Sequence, residues 1–240
     1  MQIEEFSHEM KTNMEKINIE LTDLQVEQFF TYMNLLIEWN KKINLTSIIE
    51  PKDIIIKHFV DCGTILKYLK KGETIIDIGT GAGFPGIPLK ILNETLKVTL
   101  VDSLNKRINF LNEVCEQLKL ENVKLIHARA EDLARNGEYR EKFDKSVSRA
   151  VANLSTLSEY DLPFVKKSGQ MIAMKGFDIE EEVQNSKKAI NILGGKITEI
   201  NKFSLIDTDN KRSVVVIDKV KPTPKQFPRK AGKPLKEPII

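Results

Sequence analysis

The hydrophobic positions change period at about residue 74. From Thr22 to about Trp39, Val26, Phe29, Phe30, Met33, Leu36 and Ile37 recur at helical spacing. The run opens on T-D-L-Q at Thr22, a capping-box pattern in which hydroxyl and amide satisfy the orphan N–H groups of a helix start. A second helical stretch begins at Pro51 and carries Ile54, Ile55, Phe59 and, past Gly63, Leu66 and Leu69. Residues 1–20 are weakly patterned and predict a short helix. Beyond residue 74, short β-branched runs predict strands at 74–77, 97–101, 123–127, 143–148 and 169–174. Helical faces lie between them, such as Leu104, Ile108, Leu111, Val114, Cys115 and Leu118. A charged helix over 179–193 leads to strands at about 196–205 and 213–220, and the polar link 207–212 fits a hairpin.

Strands separated by helices imply an α/β fold with a parallel sheet covered on both faces, because right-handed crossovers place the helices there. The closing hairpin adds strands six and seven, antiparallel to each other. The chain thus divides into an N-terminal helical region (1–70), an α/β domain (71–220) and a C-terminal tail (221–240). In such sheets ligands bind beyond the carboxyl ends of the strands. The residues at those ends are Gly79, Asp102, Ala130, Glu131, Arg149 and Lys175, which are expected to converge on one crevice.

The first strand runs through Asp77 into a loop with glycines at 79, 81, 83 and 86, then opens a helix. Such a turn presents unpaired backbone N–H groups to an anionic or nucleotide-like ligand. Asp102 follows about 20 residues later, where a carboxylate can take a ribose hydroxyl pair. Two chemistries fit. Gly81 to Gly86 matches GxGxxG, the loop of dinucleotide dehydrogenases. Against this, the terminal strand pair leaves no second lobe, no His or Tyr proton donor follows the fifth strand, and Pro85 and Pro88 crowd a pyrophosphate site. The pattern DxGTGxG with a downstream Asp instead resembles the S-adenosylmethionine loop of class I methyltransferases, whose Rossmann-like sheet has seven strands and a late antiparallel hairpin.

Charge and composition narrow the partners. Of the net +3, seven basic residues and no acidic one lie between Lys219 and Lys236, so the rest of the chain carries −4. A basic patch of this kind suits a polyanion such as RNA, and it equally fits a solvated end. No apolar run reaches membrane-spanning length, and the polar N-terminus has no signal-peptide core, so a cytoplasmic protein is expected. Cys62 and Cys115 are 53 positions apart in apolar patterns and read as buried, reduced thiols. No metal site is expected. His58 among apolar neighbours reads first as a core residue, and Trp39, Asn40, Lys41, Asn44 and Thr46 as a turn after the helix.

The segments WNKKINLT (39–46), DIGTGAGFPGIPL (77–89), DSLNKRINFL (102–111), SRAVANL (148–154), AMKG (173–176) and FPRKAGKPLKEPI (227–239) together resemble the ribosomal RNA small subunit methyltransferase G family, also called glucose-inhibited division protein B. The resemblance runs from about residue 20 to the end, with Phe227 standing where many members carry tyrosine. It implies methyl transfer from S-adenosylmethionine to N7 of a guanosine in 16S small-subunit ribosomal RNA, within naked RNA or a 30S particle. It also implies that 71–220 is the S-adenosylmethionine-dependent methyltransferase domain. Carried over by position, Gly79, Gly81 and Phe84 form the cofactor loop, Asp102 binds ribose, Ala130 and Glu131 face the adenine, and Arg149 sits near the methionine end. Lys175, Arg229, Lys230 and Lys233 are the expected RNA contacts, with Asn40 and Lys41 extending that surface. No general base is expected, because N7 has a free lone pair. A monomer is expected, and an RNA-binding scaffold without enzymatic activity is the alternative outside catalysis.

Overall fold

A computed structural model describes residues 1–205 and 209–240. Its strands β1 (Thr74–Ile78), β2 (Lys97–Asp102), β3 (Val123–His127), β4 (Phe143–Arg149), β5 (Val165–Gly176), β6 (Gly195–Ser204) and β7 (Lys211–Lys219) form one seven-stranded sheet in the order β3-β2-β1-β4-β5-β7-β6. The pairs among β1 to β5 are parallel, and β7 is antiparallel to both β5 and β6. An open dinucleotide-binding sheet has the order 3-2-1-4-5-6. Here the returning strand is inserted between the fifth and the sixth, which the linear pattern of strands leaves undetermined.

Around the sheet lie α1 (Ile3–Glu15), α2 (Asp23–Asn40), then a continuous run of α3 (Pro51–Ile54), a π-helical stretch Ile55–Val60 and α4 (Asp61–Gly63). The strand connections hold α5 (Gly86–Leu92), α6 (Asn105–Gln117), α7 (Ala130–Leu133), α8 (Leu154–Asp161) and α9 (Glu180–Ile192), and the tail carries the single turn α10 (Lys233–Lys236). The capping box at α2 is complete: Gln25 N–H donates to Thr22 Oγ1, and Thr22 N–H donates to Gln25 Oε1.

Alternation along the strands separates two faces. Val98, Leu100, Val147, Ile172 and Val216 pack with α5, α6 and the N-terminal helices. Ala173, Val215 and Ile217 pack with α8, α9 and Phe227 of the tail. Phe6, Met10, Phe29 and Leu36 are all fully buried. Burial of such side chains stabilises by about 1.5–3 kcal/mol each, so residues 1–70 share a core with the sheet rather than hanging from it.

Several elements differ from the sequence pattern. β5 starts at Val165, earlier than expected, since the buried Val165 is followed by the exposed Lys166, Lys167 and Ser168, which break the apolar pattern. Leu69 follows a short 3₁₀ turn in extended backbone. Cys62 is buried, whereas Cys115 is only half-buried because it sits at the margin of the α6 apolar face. In the expected 207–212 link, residues 207 and 208 lie outside the described residues, and 211 and 212 already belong to β7. No helix among the described residues is long and apolar enough to cross a membrane.

Candidate active site

Register brings the strand ends level. Ile78 pairs with Val101 and Asp77 with Val147, so Gly79 stands beside Asp102 on one side and Arg149 on the other. This is where the strand order reverses, between β1 and β4, and where such sheets open a crevice. A Cβ on Gly79, whose φ is +69°, would lie 3.0 Å from a Val151 methyl, so the chain beyond β4 closes directly on the loop.

Two buried carboxylates fold the loop. Asp77 Oδ2 accepts from Thr80 Oγ1 at 2.7 Å and from Gly86 N at 2.8 Å, tying the strand end to the start of α5. Burial raises its pKa to about 7, against the lowering effect of those two donors. Asp102 Oδ2 accepts from Gly81 N at 2.9 Å, Oδ1 accepts from Leu104 N at 2.9 Å, and Arg107 pairs with it at 3.2 Å. The expected ribose ligand therefore also organises the loop. Below it, the buried Tyr32 of α2 donates to Ala82 O, so an N-terminal helix braces the glycine turn from beneath.

On the β4 side, Arg149 is clamped by one short segment. Its Nη1 donates to Lys57 O and Asp61 Oδ2, each at 3.1 Å, and its Nη2 donates to His58 Nδ1 at 3.0 Å. An arginine is always a donor, so His58 Nδ1 accepts and the ring proton sits on Nε2, 2.9 Å from Thr46 Oγ1. Burial first, and then the Arg149 charge, pull the His58 pKa down to about 3, so the ring is neutral. The ring stacks on Phe84 at 4.4 Å, and the Arg149 guanidinium lies 4.7 Å from the centroid of the same ring. Phe84 is thus buried among His58, Arg149 and Tyr32, and its ring anchors the loop. His58 is buried as the sequence suggests, yet both of its nitrogens are engaged. The π-helical turn that carries it is the kind of irregularity found at functional sites.

The other expected residues separate into groups. Ala130 opens α7 at the end of β3, but the Glu131 carboxylate is buried and accepts from Gly232 N of the tail at 2.8 Å. Arg229 is held by the buried Glu159 through a fork, Nε to Oε1 at 3.0 Å and Nη2 to Oε2 at 2.7 Å. Lys175 donates to Ala152 O at 2.7 Å and pairs with Glu182 at 2.5 Å. Lys230 and Lys233 are exposed, the latter 3.5 Å from Glu237. Asn40 turns inward and accepts from Leu45 N and Thr46 N, while Lys41 is exposed. Sequence reasoning passed over Tyr32, Asp61 and Arg212. A buried aspartate three residues beyond His58 on an apolar helix was the available signal for Asp61; Arg212 carried none.

A family described as GidB, rRNA small subunit methyltransferase G, matches residues 25–214. The chain is 53% identical over 237 residues, 98% of its own length and 99% of the relative's, to the Ribosomal RNA small subunit methyltransferase G of Clostridium botulinum strain Loch Maree. It is 52% identical over 232 residues, 96% of its length and 97% of the relative's, to the protein of the same name from Clostridium perfringens strain 13. Among solved structures it resembles M. jannaschii TYW2 in complex with AdoMet (TM-score 0.51, 18% identity, 65% of this chain and 72% of that one). It also resembles a SAM dependent methyltransferase from Aquifex aeolicus (TM-score 0.53, 20% identity, 75% and 97%). At these identities the structures speak for the fold, a class I methyltransferase sheet, and the dehydrogenase reading of the glycine loop falls with the strand order. Full-length identity to the relatives and the match over 25–214 decide the rest: the chain belongs to the rRNA small subunit methyltransferase G family.

Proposed function

We propose that the protein transfers the methyl group of S-adenosylmethionine to N7 of a guanosine in 16S small-subunit ribosomal RNA. The observation that carries this reading is the glycine loop, folded by Asp77 and Asp102 and level with Arg149, in a chain of this family. The loop fits such a cofactor. A Cβ on Gly81 would find no heavy atom nearer than Gly79 O at 4.0 Å, so the backbone there faces open space that a ligand can occupy.

When bound, S-adenosylmethionine supplies an electrophilic methyl on a sulfonium. The residues of the chain hold and align. Gly79 and Gly81 offer a surface without side chains, and Phe84 fixes the loop from behind. Asp102 would hold the ribose through its carboxylate, Ala130 and the turn of α7 would border the adenine, and Arg149 would stand near the methionine end. Guanine N7 accepts the methyl through its own lone pair, so no residue has to remove a proton beforehand. Alignment then supplies the rate advantage. The buried, neutral His58 adds no charge beside Arg149 as positive charge moves onto the base. The Glu131 carboxylate holds the tail while its backbone, beside Ala130, would border the adenine, and Lys230 and Lys233 are the tail's RNA contacts.

Incubation with methyl-tritiated S-adenosylmethionine and either deproteinised small-subunit RNA or intact 30S subunits tests this. Label in N7-methylguanosine after nuclease digestion is the expected result. Tight RNA binding without label would favour the scaffold reading.

A further inference from the structure

Beside Arg149 a cavity of about 320 Å³ opens between the π-helical stretch and the ends of β4, β5 and β7. Because β7 runs antiparallel, its first residues reach the same edge where the parallel strands end, and Arg212 pairs in register with Gly176. Asp61 joins the two arginines: Oδ2 lies 3.1 Å from Arg149 Nη1, and Oδ1 lies 3.4 Å from Arg212 Nε. Among the described residues, one buried carboxylate faces two guanidinium groups, which leaves one positive charge uncompensated.

The two arginines are not equivalent. Arg149 is turned inward by His58 and the carbonyl of Lys57, with its side chain 14% exposed. Arg212 is about twice as open, at 27%, and shares the cavity mouth with Lys57 and Lys175. Lys57 is balanced by Asp53 at 2.9 Å and Lys175 by Glu182, so the surplus charge belongs to the arginine pair. Ile48, Ala150 and Met174 supply an apolar wall. A cationic mouth over an apolar wall fits a ligand that is anionic at one end, and a guanidinium fork matches phosphate oxygens.

We propose that this cavity is an anion subsite that receives a backbone phosphate of the RNA next to the acceptor nucleotide. Arg212 contacts the phosphate, and Asp61 is the positioning residue that holds Arg149 inward and Arg212 at the mouth. The inference rests on the proposed reaction and adds where the RNA backbone enters. The α-carboxylate of a small ligand offers similar chemistry, and the experiment separates the two.

The full-length variants Arg212→Gln and Lys57→Gln are compared with wild type for methyl transfer to deproteinised small-subunit RNA across a salt series, and for S-adenosylmethionine binding by calorimetry. For Arg212→Gln the KM for RNA rises about tenfold, kcat and cofactor affinity hold, and the slope of log affinity against log salt falls by about one. Lys57→Gln gives the same pattern more weakly. Asp61→Asn loses more, and Arg212→Gln added to it recovers part of the loss by removing the repulsion between the guanidinium groups. An unchanged KM and salt slope in both single variants overturn the subsite. So does weakened cofactor binding with normal RNA kinetics, which would give the cavity to the cofactor. If wild type transfers no methyl group to deproteinised RNA or to intact 30S subunits, the proposed reaction fails, and the salt slope of RNA binding in the same variants still decides for or against the subsite; if only 30S subunits are methylated, the same comparison is made on them.

Discussion

The glycine loop and the basic tail are held by the same device and put it to different use. In each, two buried carboxylates tie irregular backbone down, from strands β1 and β2 in the loop and from helices α7 and α8 in the tail: Asp77 and Asp102 bind the N–H groups of Gly86 and Gly81, and Glu131 and Glu159 bind those of Gly232 and Arg229. In the loop the carboxylates hold the segment that does the work. In the tail they also engage a charged side chain that the sequence assigns to RNA. Arg229 lies on Glu159, and Lys219 is buried with Glu141 at 3.1 Å and donates to Leu162 O and Thr223 Oγ1, while Arg140 donates to Thr223 O and Phe227 O. Burial lowers the Lys219 pKa to about 8, against the raising effect of Glu141. Charge counted along a sequence is therefore not charge available to a ligand. Lys221, Lys225, Lys230, Lys233 and Lys236 are the exposed remainder.

The comparison can be broken at four points. The largest effect is expected in the loop. Gly79→Val adds a branched side chain at φ +69°, 3.0 Å from Val151, and abolishes S-adenosylmethionine binding in titration calorimetry; a normal isotherm would refute the loop assignment. Next, Glu159→Gln breaks a fork whose carboxylate is buried. It lowers unfolding stability by about 3 kcal/mol in urea titrations and loosens the tail to limited proteolysis, and a loss below about 1 kcal/mol would make the tail latch decorative.

The third point is the Arg149 clamp. The unfolded His58 ring titrates near 6.5 and the folded one near 3, so the unfolded chain takes up the proton first and stability falls as pH drops below about 6.5. From about pH 7.5 to about pH 5 this contributes a loss of about 2 kcal/mol. His58→Gln removes that part of the slope, and urea midpoints at the two pH values provide the check. Smallest is the paired change Lys230→Ala with Lys233→Ala. Exposed phosphate contacts each remove about one unit of salt slope, so RNA methylation weakens severalfold while melting temperature and cofactor affinity hold. An equal loss from Arg229→Ala at unchanged stability would put Arg229 back among the RNA contacts.

Periodicity alone placed the seven strands, the cap of α2 and the glycine turn, because period and punctuation are local properties of the chain. It marked Asp77, Asp102 and Arg149 at strand ends, since a strand's last residue is visible in sequence and the sheet then aligns it. Three matters waited for the tertiary structure. The insertion of β7 between β5 and β6 was one, because hydrogen-bonded neighbours need not be sequence neighbours, and that insertion alone brings Arg212 to the site. The partners of His58, Asp61 and Tyr32 were another, since each lies on a helix remote in sequence from the strand or loop it contacts. The last was the tail. Its composition left a polyanion-binding patch and a solvated end equally open, and only the packed fold, with carboxylates from α7 and α8 already buried beneath it, decided which of its charges face the solvent.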